Sequence, residues 1–91
     1  MYAVVVRVTI HNAEGARQAL REQVVPRVSS SPGFKSGYWT WPADGEPTNG
    51  LSMAFYDDED NARNAAGMVG GLVPDAVTLD GVEVREVVES A

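Results

Sequence analysis

The 91-residue chain carries seven Lys and Arg against thirteen Asp and Glu, a formal charge of −6, and 44% of its residues are apolar. This length supports one domain, residues 1–91, with a modest core that a second protomer commonly supplements. The clustered basic residues that neutralise phosphates are missing, so neither nucleic acid nor an anionic membrane is an expected partner. The chain has no cysteine, which excludes disulfides and thiolate metal sites.

The first segment, Tyr2–Ile10, is rich in β-branched residues and predicts a strand. Its even positions are apolar and its odd positions are largely so, which is typical of a central strand covered on both faces. Arg7 interrupts the apolar run and no basic region precedes it. We therefore expect neither a signal peptide nor a membrane span, and a cytoplasmic location.

An amphipathic helix is predicted to follow, with Asn12 capping its free amides and Ala13 as its first residue. The buried stripe repeats every four residues and consists of Ala16, Leu20, Val24 and Val28. Because Pro26 removes an amide and collides with the preceding turn, we expect the helix to kink or end near Val25.

Two further strands are predicted at Phe34–Trp41 and Leu51–Tyr56, joined by a long loop rich in Pro, Gly, Asp and Asn. Asp57 and Asp60 have the spacing of an N-terminal capping box for a second helix. The residues that this helix should turn inward are small or apolar: Ala62, Ala65, Ala66 and Val69.

The last predicted strand is Val82–Val88. Asp80-Gly81 is either a tight hairpin turn after Val77–Leu79 or the lead-in to that strand, and the lead-in is favoured. The element order is then β-α-β-β-α-β, an α+β, ferredoxin-like fold with an antiparallel sheet and both helices on one face. The other sheet face keeps apolar residues that a lone protomer would expose, so we expect a homodimer that packs sheet to sheet.

This order, together with Ser31-Pro32-Gly33-Phe34 and the acidic start Asp57–Asp60 after Leu51–Tyr56, resembles the dimeric α+β barrel superfamily. The resemblance is to small stand-alone proteins of the antibiotic biosynthesis monooxygenase type. It implies a dimeric barrel, and it admits cofactor-free quinol or anthrone oxygenases, haem-degrading oxygenases and ligand-sensing domains. Haem-degrading members hold iron through a histidine on the second helix, and Glu59–Val69 contains none. We expect no cofactor and no bound metal.

Three residues are candidates for catalysis. His11 is the single histidine and would accept a proton from a phenol or quinol, with Asn12 holding the developing oxyanion. The alternative interpretation makes Asn12 a helix cap and His11 a polar strand end. Tyr56 is a candidate hydrogen-bond donor to a ligand.

Aromatic residues are the second group of candidates. Tyr38 and Trp39 are predicted to bind a flat ligand, with Met53 lining an adaptable pocket. Trp39 and Trp41 share one face of their strand and Tyr38 lies on the other. The same rings are suited to a dimer seam, and we assign Trp41 to the dimer interface.

Arg7 is the single charge inside the first strand. It either pairs with a carboxylate of the last strand, Glu83 or Glu86, or binds an anionic ligand group. Two functions remain open. The chain binds a small hydrophobic or aromatic metabolite without an activity of its own, or it is a cofactor-independent monooxygenase of a quinol- or anthrone-like substrate.

Overall fold

A computed structural model, which describes residues 1–91, shows a four-stranded antiparallel sheet with helices on one face. The strands are β1 Tyr2–Ile10, β2 Phe34–Thr40, β3 Asn49–Tyr56 and β4 Val77–Glu86. Their order across the sheet is β2-β3-β1-β4, with β1 and β3 in the centre. The ferredoxin-like prediction is confirmed. None of the helices has the length and apolar character needed to cross a membrane.

The first helix extends to Ser29, past the predicted kink or end near Val25, and changes its winding partway. It comprises α1 Ala13–Ala19, a π-helical turn Leu20–Val24 and α2 Val25–Ser29. The Val25 amide donates to the Leu20 carbonyl, five residues back. Pro26 is the second residue of α2, which continues the π-helical turn without a break, so the widened turn lies where the proline ring would collide with a regular helix. An end near Val25 is therefore wrong, because the irregularity precedes the proline as a widened turn.

The second helix, α3, spans Glu59–Met68 and continues as a 3-10 turn, Val69–Leu72. Its N-cap is Asp58, whose carboxylate accepts from the Asn61 amide at 2.8 Å. Asp57 instead accepts from the Asn61 side-chain amide at 3.1 Å, and this hydrogen bond lowers the pKa of Asp57. The predicted capping box is thus displaced by one residue.

The last strand begins earlier than predicted and ends at Glu86. Asp80-Gly81 is neither a hairpin turn nor a lead-in, because β4 pairs with β1 on both sides of it. Arg7 is opposite Gly81 and Val8 is opposite Leu79, so Asp80 is the extra residue of a β-bulge. The Thr9 hydroxyl donates to the Asp80 carboxylate at 2.7 Å.

The core lies between the sheet and α3. Ala62 and Ala65, which were predicted to face inward, are 0% and 8% exposed and pack with Val4, Ala54 and Tyr56. Small side chains on α3 let its backbone approach the sheet closely. Tyr56 is the largest fully buried side chain of the chain.

The two faces of the sheet have different surroundings. Even-numbered residues of β1, such as Val4 and Val6, face the helices. Odd-numbered residues face the other way, on a side that no helix covers, here named the open face. Ala3 and Val5 are buried there among neighbouring side chains, whereas Tyr38 is 59% exposed.

We predict that Gly33→Ala destabilises the fold far more than Gly45→Ala. Both glycines have φ of 79°, so both variants carry the left-handed strain of about 1–2 kcal/mol. A Cβ at Gly33 would also lie 2.5 Å from the Asn61 side-chain nitrogen and against the Asp57 carboxylate, whereas a Cβ at Gly45 meets nothing. Overpacking adds about 1–3 kcal/mol to the loss for Gly33→Ala.

Urea unfolding followed by circular dichroism measures both free energies of unfolding. Equal losses in the two variants would show that the turn after α2 tolerates a side chain, contrary to this packing.

Candidate ligand-binding site

A cavity of about 130 Å³ lies between the helices and the sheet. Eighteen of its 23 lining residues are hydrophobic, so a largely apolar molecule gains most by moving from water into this cavity. The walls come from three places. The sheet supplies Val6 and Val8, the first helix supplies Leu20 and Val24, and the segment after α3 supplies Leu72.

A hydroxyl relay occupies one end of the cavity. The Ser31 hydroxyl donates to the Val28 carbonyl, and the oxygens of Ser31 and Tyr56 are 2.8 Å apart. The Ser31 hydroxyl has one proton, which it donates to the Val28 carbonyl. The Tyr56 phenol is therefore the donor in the hydrogen bond to Ser31. Tyr56 therefore presents only an acceptor lone pair to a ligand, whereas the sequence predicted a donor.

Trp39 and Ser52 line the cavity farther along the sheet, as cross-strand partners on the helix-facing side. The Trp39 ring lies over Gly37, where a Cβ would be 2.8 Å from Cη2 of the ring. Gly50 similarly makes room for Val8, since its Cβ would be 2.6 Å from a Val8 methyl. Glycine inside a strand signals such close approach, and Gly37 and Gly50 are the sequence features from which this packing could have been predicted.

His11 and Asn12 do not line the cavity. His11 is exposed at the end of β1, where its Nε2 contacts the Thr78 hydroxyl. Asn12 caps α1, with its side-chain oxygen accepting from the Gly15 amide at 3.0 Å. A catalytic role for either residue stays a prediction and would require a ligand at this exposed edge.

Tyr38 and Met53 lie on the open face. They are cross-strand partners, and the Tyr38 ring meets Phe55 edge to face with 6.5 Å between centroids. Of the aromatic residues predicted to touch a ligand, only Trp39 and Tyr56 reach the cavity. A ligand that touched Tyr38 and Met53 would have to bind on the other side of the sheet.

Arg7 also lies on the open face, where it forms the predicted pair with Glu83 at 2.9 Å. Arg85 approaches the same carboxylate at 3.2 Å. The hydrogen bond from Arg7, followed by that from Arg85, lowers the pKa of Glu83. This arrangement leaves Arg7 engaged with an internal partner, and its role in ligand binding stays a prediction.

Trp41 follows β2 and lies on the helix side of the sheet. The Arg17 guanidinium sits 4.9 Å from the centre of the Trp41 ring, a cation–π contact. A homodimer formed by the open face alone would leave Trp41 outside its interface.

The structure brings together no group of three His, Asp or Glu side chains that would hold a metal ion. A haem group does not fit the cavity. The cavity has the volume of a site for a single aromatic ring, and a tetrapyrrole is several times larger. The one histidine of the chain lies outside it.

No protein-family model and no curated protein sequence matches this chain. Its structure is similar to SnoaB, a cofactor-independent oxygenase from Streptomyces nogalater, with a TM-score of 0.75 and 17% identity over 98% of this chain and 94% of SnoaB. It is also similar to MhuD, a heme degrader of Mycobacterium tuberculosis, with a TM-score of 0.68 and 15% identity over 100% and 98% of the two chains.

A third similar structure is a dimeric ferredoxin-like protein from an uncultured marine organism, with a TM-score of 0.62 and 9% identity over 100% and 98% of the chains. These likenesses define the fold class. The chain has a ferredoxin-like fold, which is the fold that its sequence resemblance to the dimeric α+β barrel superfamily implied. More particularly, the similar structures include a cofactor-independent oxygenase and a heme degrader.

We predict that Tyr56→Phe lowers the free energy of unfolding by about 1 kcal/mol, because a buried hydrogen bond to Ser31 is lost. Tyr38→Phe is the matched control, since the Tyr38 hydroxyl makes no hydrogen bond within the chain, and its effect should stay within about 0.5 kcal/mol. Thermal and urea unfolding of the two variants measure the difference. Identical stabilities would contradict a structural role for the relay.

Proposed function

We propose that this protein binds a small, flat, hydrophobic molecule of the aromatic class between its sheet and its helices. The observation that carries the proposal is the apolar cavity with Trp39 in its wall. Its volume of about 130 Å³ compares with the roughly 150 Å³ of an apolar protein cavity that stays dry and takes up benzene. One aromatic ring is therefore the size class for the buried part of the ligand.

The polar groups of the cavity support an apolar ligand. The Ser31 and Tyr56 hydroxyl protons are engaged within the protein, so the relay offers a ligand an acceptor and no free donor. The Ser52 hydroxyl makes no hydrogen bond within the chain, whereas the nearby Thr40 hydroxyl donates to the Leu51 carbonyl. A ligand that carries a single donor group, such as a phenol or an aromatic amine, matches this set.

We further propose that the protein acts as a homodimer that packs through the open face. Tyr38 is 59% and Leu51 is 37% exposed, next to the half-buried Met53 and Phe55. A contiguous apolar patch of this kind is typical of an interaction surface, and a two-fold axis lets the patch cover itself. The similar fold of a dimeric ferredoxin-like protein supports this assembly.

A second candidate function is oxygenation of the bound aromatic molecule without a cofactor. Its support is the likeness to SnoaB, which extends over 98% of the chain. In this function the Tyr56 oxygen would accept a hydrogen bond from a substrate hydroxyl. His11 and Asn12 lie at the other end of β1 from Tyr56 and would act only on a separate molecule bound at that exposed edge. Oxygen uptake with an anthrone as substrate tests this second function. If uptake does not exceed the protein-free rate, oxygenation is contradicted and only the proposed binding function remains.

We predict that Ser52→Leu weakens binding of phenylnaphthylamine, a neutral fluorescent aromatic probe, by about tenfold or more. The larger side chain would occupy the cavity opposite Trp39. Ser36→Leu is the matched control, because it makes the same change on the open face, opposite Phe55. Fluorescence titration measures both dissociation constants.

Equal weakening by the two variants would place the probe elsewhere and contradict the proposed site. Absence of probe binding to the unaltered protein would contradict the proposed function itself. Circular dichroism of both variants separates a blocked cavity from loss of fold.

We predict that Tyr38→Asp converts the dimer to a monomer, because it buries a charge in the two-fold contact. Trp41→Asp places the same change on the opposite side of the sheet and should leave the dimer intact if the open face alone forms the contact. Sedimentation velocity at micromolar concentration measures the assembly. A monomer in Trp41→Asp alone would assign the interface to Trp41 and contradict packing through the open face.

A further inference from the structure

A second concavity adjoins the apolar cavity on the helix side of the sheet. It is a groove of about 370 Å³ lined by Arg17, Leu20, Arg21, Val25, Trp39 and Trp41. Leu20 and Trp39 belong to both the groove and the cavity. The cavity and the groove therefore meet at these two side chains, and a molecule that occupied both would pass between them.

The charges of the groove are unusual for this chain. The chain carries a net charge of −6, and each of its three salt bridges uses an arginine outside the groove, namely Arg7, Arg63 or Arg85. Arg17 and Arg21 lie four residues apart on one helix face and have no carboxylate partner. Two neighbouring cations without a counter-charge repel each other, and an anion bound between them would relieve that repulsion.

The aromatic surroundings favour the same type of occupant. Arg17 stacks on Trp41 at 4.9 Å, which holds its planar guanidinium near the groove and leaves its edge donors unpaired. Guanidinium groups bind carboxylate-like anions through two parallel hydrogen bonds. The half-buried indoles of Trp39 and Trp41 supply flat apolar walls on the same groove.

We propose that the ligand is an aromatic anion, whose ring enters the cavity past Leu20 and Trp39 and whose anionic group binds Arg17 and Arg21 in the groove. This inference rests on the proposed function and adds the charge of the ligand. The groove lies on the helix side, so a dimer formed by the open face leaves it accessible.

Two fluorescent probes that differ by one anionic group test the proposal. Anilinonaphthalene sulfonate carries the anion, and phenylnaphthylamine is the same ring system without it. The Arg17→Gln/Arg21→Gln variant should bind the sulfonate about tenfold or more weakly and phenylnaphthylamine within about twofold of the unaltered protein. The sulfonate affinity of the unaltered protein should fall with salt, and that of the neutral probe should not.

The matched control is Arg27→Gln/Lys35→Gln, which removes two exposed positive charges outside the groove. It should change neither affinity by more than about twofold. If the two double variants weaken sulfonate binding equally, the loss comes from the change in net charge and not from the groove, which overturns the proposal. Unchanged sulfonate binding in Arg17→Gln/Arg21→Gln would overturn it as well.

Further outcomes separate this proposal from the proposed function. If phenylnaphthylamine binds the unaltered protein but Ser52→Leu leaves sulfonate binding unchanged, the ring does not enter the cavity and the proposal fails. If phenylnaphthylamine does not bind at all, the proposed function fails first. Circular dichroism checks the fold of each variant. If the Arg17→Gln/Arg21→Gln variant does not fold, Arg21→Gln alone replaces it, because this single change leaves the Arg17–Trp41 contact in place.

Discussion

The buried hydroxyl of Tyr56 is the constraint on which much of this structure depends. A phenol that is 1% exposed must be hydrogen-bonded, and Ser31 supplies the partner at 2.8 Å. The turn that carries Ser31 is held by two more contacts. The Asp57 amide donates to the Gly33 carbonyl at 3.0 Å, and Phe34 meets the Tyr56 ring edge to face at 5.9 Å. One short turn thus joins the end of the first helix, the end of β3 and the start of α3, which explains why Ser31–Phe34 is so informative in the sequence.

Hydrophobic periodicity predicted the parts of the fold that repeat regularly. The alternation of β1 and the inward face of Ala62 and Ala65 follow from periods of two and 3.6, and the structure has both. Irregularities could not be predicted from these periods, because one extra residue in a strand or in a helical turn has no repeating pattern of its own. The bulge at Asp80 and the π-helical turn at Leu20–Val24 are both of this kind.

The site was only partly predictable for a related reason. Alternation placed Tyr38 and Trp39 on opposite faces, but which face the helices cover is decided by tertiary packing. Trp39 therefore reaches the cavity while Tyr38 and Met53 lie on the open face. In the sequence, Arg17 and Arg21 resemble any polar residues of an amphipathic helix, since their nearness to Trp41 depends on how the end of β2 passes the helix.

The π-helical turn has a consequence for how such a site changes in evolution. Leu20 and Val24 of this turn line the cavity, and Arg21 of the same turn lines the groove. A residue added to or removed from a regular α-helix rotates everything on one side of it by about 100° relative to the other. A π-helical turn holds one residue more than an α-helical turn, so loss of one residue here would restore regular winding and leave Arg17 beside Trp41. The rearrangement would be confined to the side chains of the turn itself, Leu20, Arg21 and Val24, so one turn of the helix would change the wall of the cavity and the charge of the groove together while the rest of the helix kept its place.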